Sequence, residues 1–142
     1  MEAPERDILA VVEAHNDAWN AHDLEAVMSF YTDDIVVSVR TPASADAGKT
    51  SPFNVAGAGK QQVRDMVKGF LPGYHLEWWG VQAPGNRVTL HFRNSADILR
   101  NMGLEFLEGT AEFEFEGKKI KKFYSTWSPE TVQKMWNILE QS

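Results

Sequence analysis

The sequence predicts an α+β fold on three observations: a helical period opens the chain, period-two strands with tight turns fill its second half, and another amphipathic segment closes it. From Pro4 to about His22, the residues Ile8, Val11, Val12, His15, Ala18, Trp19 and His22 recur at helical spacing, while Glu5, Arg6, Glu13 and Asp17 fall elsewhere on the wheel. Asp23 is a suitable N-cap for a second helix, Leu24 to about Tyr31, with Leu24, Val27 and Met28 on one side. The β-branched run 34–40 reads as the first strand. Residues 41–56 contain Pro42, Gly48 and Pro52 and keep neither period, so they read as a loop long enough to form a flexible flap. A third helix is predicted from about Lys60 to Phe70, with Val63, Met66, Val67 and Phe70 as its stripe and Pro72-Gly73 as its stop.

Strands are predicted at 74–82 and from 87 to about 93, joined by Pro84-Gly85-Asn86, with Val88, Leu90 and Phe92 sharing a face. Residues 97–103 read as one helical turn closed by Gly103. A hairpin follows, 104–115 and 118–127, about Glu116-Gly117. That turn sets Phe113 opposite Ile120, Glu114 opposite Lys119 and Glu112 opposite Lys121, so that unlike charges meet on one face. Beyond Ile120, strict alternation would send Lys122 inward and Phe123 and Trp127 outward unless a bulge resets the phase. Ser128-Pro129 is an N-cap followed by a first-turn proline, and Val132, Met135, Trp136 and Leu139 line the terminal helix.

The 142 residues include 14 basic and 20 acidic side chains, a net charge of −6, and are 43% hydrophobic. This suits one domain over residues 1–142 with a substantial core, and it lacks the basic footprint that nucleic acid or anionic lipid requires. The absence of cysteine excludes disulfides and thiol chemistry. With no secretory-type start and no long apolar run, the expectation is a soluble, cytoplasmic protein without a membrane partner. His15, His22, His75 and His91 form no His-Glu-x-x-His pattern, and the first two stand about 10 Å apart by helix rise, so neither metal nor other cofactor is expected. Gly57-Ala58-Gly59-Lys60 departs from a phosphate loop, because Asn54 occupies the first glycine position and Gln61 follows the lysine. Serine-hydrolase and dinucleotide signatures are also absent from the sequence.

The junction Trp19-Asn20-Ala21-His22-Asp23-Leu24, the run Phe30-Tyr31-Thr32-Asp33-Asp34, Gly59 ahead of Val63, and Glu116-Gly117-Lys118 carry a resemblance over nearly the whole chain. It resembles the nuclear transport factor 2-like superfamily, in particular the SnoaL-like and steroid isomerase-like members. The resemblance implies a conical α+β barrel: a curved sheet, mixed or antiparallel, wrapped on three helices of the N-terminal half, a C-terminal helix, an apolar pocket, and a homodimer formed through the other sheet face. It does not imply one reaction, since such folds host isomerases, dehydratases, epoxide hydrolases, cyclases and proteins without catalysis. The steroid isomerase residues do not carry across: the tyrosine donor falls at His15, the aspartate base at Val39 and the protonated aspartate near Ala111. Without a carboxylate base that isomerisation is not expected.

Within this frame His15 is the candidate proton shuttle and Asp97 its candidate partner, because imidazole exchanges protons near neutrality and a buried acid can orient it. Trp19, Trp78, Phe92, Asn94 and Phe113 are the candidate ligand-binding residues. The simpler reading makes His15 a core residue with a satisfied hydrogen bond, Asp97 a turn cap and the aromatics core. Adjacent Trp78 and Trp79 must face opposite sides of a strand, and a dimer interface would accept one of them. Three functions follow: a cofactor-independent acid/base enzyme of isomerase, lyase or cyclase type; a non-catalytic binder of a small apolar organic ligand; or a protein-interaction adaptor with a filled core. A cavity holding His15 with no carboxylate nearby would favour the second.

Overall fold

Amphipathic helices and β-branched runs settle against one another in the computed structural model, which describes residues 3–40 and 55–140. The elements are α1 (Ala3–Asn20), α2 (Leu24–Ser29), β1 (Tyr31–Arg40), β2 (Val55–Ala58), α3 (Lys60–Phe70), β3 (His75–Gln82), β4 (Arg87–Ser95), α4 (Asp97–Met102), β5 (Leu107–Glu116), β6 (Lys119–Trp127) and α5 (Pro129–Glu140). The strands form one open mixed sheet in the order β2-β1-β6-β5-β4-β3, with β1 and β6 parallel and the other neighbours antiparallel. One face carries Leu76, Val88, Leu90, Phe92, Ala111, Phe113 and Ile120, all buried. Against that face α1 packs across β3 and β4, and α3 across β1 and β2. The opposite face is polar and laced with exposed ion pairs, such as Arg87 with Glu112 at 3.0 Å and Glu114 at 2.8 Å.

Three expectations need correction. Tyr31 does not extend the second helix; Phe30 caps it, and Tyr31 opens β1, paired with Ile120. Residues 55 and 56 belong to β2 rather than to a loop, because Val55–Ala58 completes the free edge of β1. The rest of the predicted flap, 41–54, lies outside the described residues. Third, the hairpin turns about Gly117-Lys118, setting Glu116 opposite Lys119 and Phe115 opposite Ile120. Gly117 has φ +62° as the first central residue, where a type II′ turn wants glycine, whereas a turn centred on Glu116-Gly117 would put glutamate there. Lys121 is then the extra residue of a bulge, after which Glu114 pairs with Lys122 and Phe113 with Phe123. The bulge resolves the phase: Lys122 stays outside, 3.7 Å from Glu114, while Phe123 and Trp127 return to the inner face.

The Trp19–Leu24 junction anchors α1 to the exposed edge strand β3. Asn20 mimics a strand neighbour, its Nδ2 donating to the Leu76 carbonyl at 3.0 Å and its Oδ1 accepting from the Leu76 amide at 2.7 Å. His22 takes the left-handed conformation that ends the helix, φ 58°, and its Nε2 donates to the Tyr74 carbonyl at 2.6 Å. Asp23 then caps α2 by accepting from the Ala26 amide at 3.1 Å. Asn20→Ala removes both bonds to the Leu76 backbone and is expected to cost about 2 kcal/mol in urea denaturation. It should also speed hydrogen exchange at the Leu76 amide. An unchanged unfolding midpoint would show that the edge strand holds without the clamp.

Candidate functional site

Because α1 and α3 cover opposite ends of the inner sheet face, the space between them is not filled. It leaves a cavity of about 120 Å³. Most of its wall is hydrocarbon: Val37 and Val39 of β1, Val63 and Val67 of α3, Leu90 and Phe92 of β4, and Phe113 and Phe123 across the hairpin. The polar atoms come from His15, Asn16, Trp19, Tyr31, Tyr74, Asn94 and Ser125. Among the described residues, no aspartate, glutamate, lysine or arginine lines it.

His15 is 1% exposed and held on three sides. The Trp19 indole N–H donates to its Nε2 at 3.1 Å, the Tyr31 hydroxyl lies 2.8 Å from the same nitrogen, and Nδ1 is 3.0 Å from the Asn16 Oδ1. An indole can only donate, so Nε2 is an acceptor, and the neutral ring carries its proton on Nδ1, facing Asn16. Tyr31 then donates its hydroxyl proton to Nε2. Burial lowers the His15 pKa from 6.5 to about 4, against a smaller opposing pull from the Asn16 hydrogen bond. Burial also raises the phenols of Tyr31 and Tyr74 above the usual tyrosine range. All three groups are therefore neutral near pH 7. Protonating His15 there would cost about 4 kcal/mol, and both ring nitrogens already have partners. The arrangement can orient a neutral guest; it presents no free base.

A family model described as the SnoaL-like domain matches residues 12–123, the stretch that supplies nearly every cavity residue. The chain belongs to the SnoaL-like family. Among solved structures it is similar to an NTF2-like protein of unknown function from Mesorhizobium loti, at 15% identity and a TM-score of 0.70, covering 90% of this chain and 96% of that one. A SnoaL-like protein of unknown function from Burkholderia thailandensis shares 23% identity, with a TM-score of 0.63 and coverage of 89% and 99%. A candidate ketosteroid isomerase from Kribbella flavida shares 12% identity, with a TM-score of 0.65 and coverage of 87% and 79%. At these identities the likeness establishes the open α+β cone and no reaction. No curated protein matches the chain.

Of the sequence-predicted site residues, the fold brings His15, Trp19, Phe92, Asn94 and Phe113 to one cavity. It does not bring Asp97 or Trp78 there. Asp97 opens α4, more than half exposed, with its carboxylate 2.5 Å from the Arg100 guanidinium and no contact with His15. Trp78 shares the Leu76 side of β3 and is half-buried opposite Phe92, but it does not line the cavity. Trp79, on the other side, is 48% exposed and stacks on His91 with ring centres 6.0 Å apart. Sequence reasoning missed Asn16, Tyr31 and Tyr74. Asn16 stands three residues before Trp19, a helical spacing that puts both on one face, and this signal could have found it.

Proposed function

We propose that this protein binds a small, uncharged and largely apolar organic molecule in the α1/α3 cavity without catalysing proton transfer. The observation that carries the reading is the wall itself: hydrocarbon with a few neutral polar groups, no carboxylate among the described residues, and an imidazole whose two nitrogens are already engaged. Acid/base catalysis would require a free base or acid facing the guest, and Asp97, the expected partner, lies on α4 in an ion pair with Arg100. A cavity of about 120 Å³ is comparable to an apolar cavity of about 150 Å³ that accepts benzene, so the guest is on the scale of one ring. We further propose a homodimer through the outer sheet face, where exposed Trp79 supplies an aromatic anchor beside the ion-paired strands.

Thermal denaturation with a panel of neutral one-ring compounds tests the binding reading. A true guest at one hundred times its Kd should add about 2.7 kcal/mol of stability. Ala111→Leu, which fills the cavity from the middle of β5, should abolish that gain while leaving the protein folded. If no neutral compound raises the melting temperature, or if Ala111→Leu leaves the gain intact, the cavity is not the binding site.

A further inference from the structure

Asn16 holds a hydrogen-bond donor that nothing in the described fold uses. Trp19 fixes the His15 Nε2 as an acceptor, so the imidazole proton sits on Nδ1, and the atom 3.0 Å away must be the Asn16 carbonyl oxygen. The orientation of the amide follows without appeal to the Asn16 surroundings. Its NH2 group turns away from the imidazole, is buried, and has no hydrogen-bond partner, although the side chain is only 2% exposed and forms part of the cavity wall. Native proteins rarely leave such a donor unpaired, because the lost hydration is not regained. Asn94, also in the cavity wall, is in a similar state: its Nδ2 meets the Tyr74 hydroxyl at 3.3 Å and its Oδ1 is buried and unpartnered.

We infer that the cavity selects neutral molecules carrying an acceptor oxygen, of ketone, ester or ether type, which takes a hydrogen bond from the Asn16 side-chain amide. This rests on the reading of the cavity as a small-molecule site, and it adds a chemical class and an orientation to that reading. The acceptor end lies beside His15 and Asn16, and the hydrocarbon remainder lies against the valines and phenylalanines of the sheet. Carboxylates are rejected, since no cation among the described wall residues would offset their desolvation.

Three probes of similar shape separate the possibilities in the intact chain: acetophenone, its isopropyl analogue cumene, and benzoate. By calorimetry, Asn16→Leu should weaken acetophenone binding about five- to tenfold relative to cumene, the range expected for one neutral hydrogen bond. Benzoate should show no saturable binding. In the native protein, the Asn16 side-chain amide resonances should move downfield with acetophenone and not with cumene, a readout that stands even if the variant fails to fold. If cumene binds and acetophenone leaves those resonances where cumene does, the selectivity is refuted and the cavity is an apolar site alone. Benzoate binding as tightly as acetophenone also overturns it. If neither neutral probe binds, the underlying reading falls with it.

Discussion

Gly109→Ala is expected to destabilise the protein by about 3 kcal/mol, the upper end for forcing one methyl group into a packed interior. Gly109 lies in β5 between Phe92 of β4 and Trp127 of β6. A Cβ built on it would sit 2.0 Å from the Thr126 carbonyl oxygen, 2.9 Å from the Thr126 carbonyl carbon and 3.0 Å from the Trp127 Cα. All three atoms are backbone, so no rotamer change relieves the overlap; β5 and β6 must part at this position. Because Phe92 and Trp127 both line the cavity, the same displacement should weaken any guest. Urea denaturation checks the first claim, with a lower midpoint at unchanged m-value. Gly69 is the control: it lies inside α3, an added Cβ meets nothing within 4 Å, and Gly69→Ala should be neutral or stabilising by up to about 1 kcal/mol. Equal effects at the two glycines would remove steric contact as the cause.

Most elements could be read from periodicity because burial and period coincide. Val63 and Val67 face the core from α3, and Val88, Leu90 and Phe92 do so from β4, just where 3.6 and 2.0 residue spacings put them. What could not be read depends on a partner distant in the chain. β2 carries no alternation in Val-Ala-Gly-Ala and is a strand only because β1 offers an edge. The hairpin register turns on which residue tolerates positive φ, and charge complementarity cannot decide it, since Glu114 finds a lysine in either register. At the site, the face of α1 places His15 and Trp19 correctly, but nothing local links His15 to Asp97 across 82 residues, and Asp97 is tied to Arg100 and the Gly73 corner. Asn16 is hard to single out in the sequence because one polar residue beside an apolar stripe resembles the boundary of that stripe. Its burial becomes visible only when the sheet closes over it. The Trp19–Leu24 junction was recognisable as a pattern, whereas the reason for each residue in it is tertiary: indole to His15, amide to Leu76, imidazole to Tyr74, carboxylate to Ala26.

The buried imidazole should also make stability depend on pH in a defined window. In the unfolded chain His15 takes up a proton near its ordinary pKa of 6.5, whereas in the folded protein burial delays protonation to about 4. Between those values the unfolded state binds more protons, so the slope of unfolding free energy against pH is positive and stability falls on acidification. At about 1.4 kcal/mol per pH unit, the accumulated loss from His15 is about 3 kcal/mol on going from pH 6.5 to pH 4. Below about 4 the folded state binds the proton as well and the contribution levels off; above 6.5 the ring is neutral in both states and contributes no slope. His15→Gln keeps an acceptor for Tyr31 and Trp19 but cannot titrate. Subtracting its urea-unfolding free energies from those of the native chain, pH by pH, cancels the carboxylates common to both, and the difference should follow this sigmoid. A flat difference across the window would mean that His15 titrates alike in both states, which its burial between Tyr31, Trp19 and Asn16 does not allow. The same protonation would place a hydrogen on Nε2, where the Trp19 indole and the Tyr31 hydroxyl both donate.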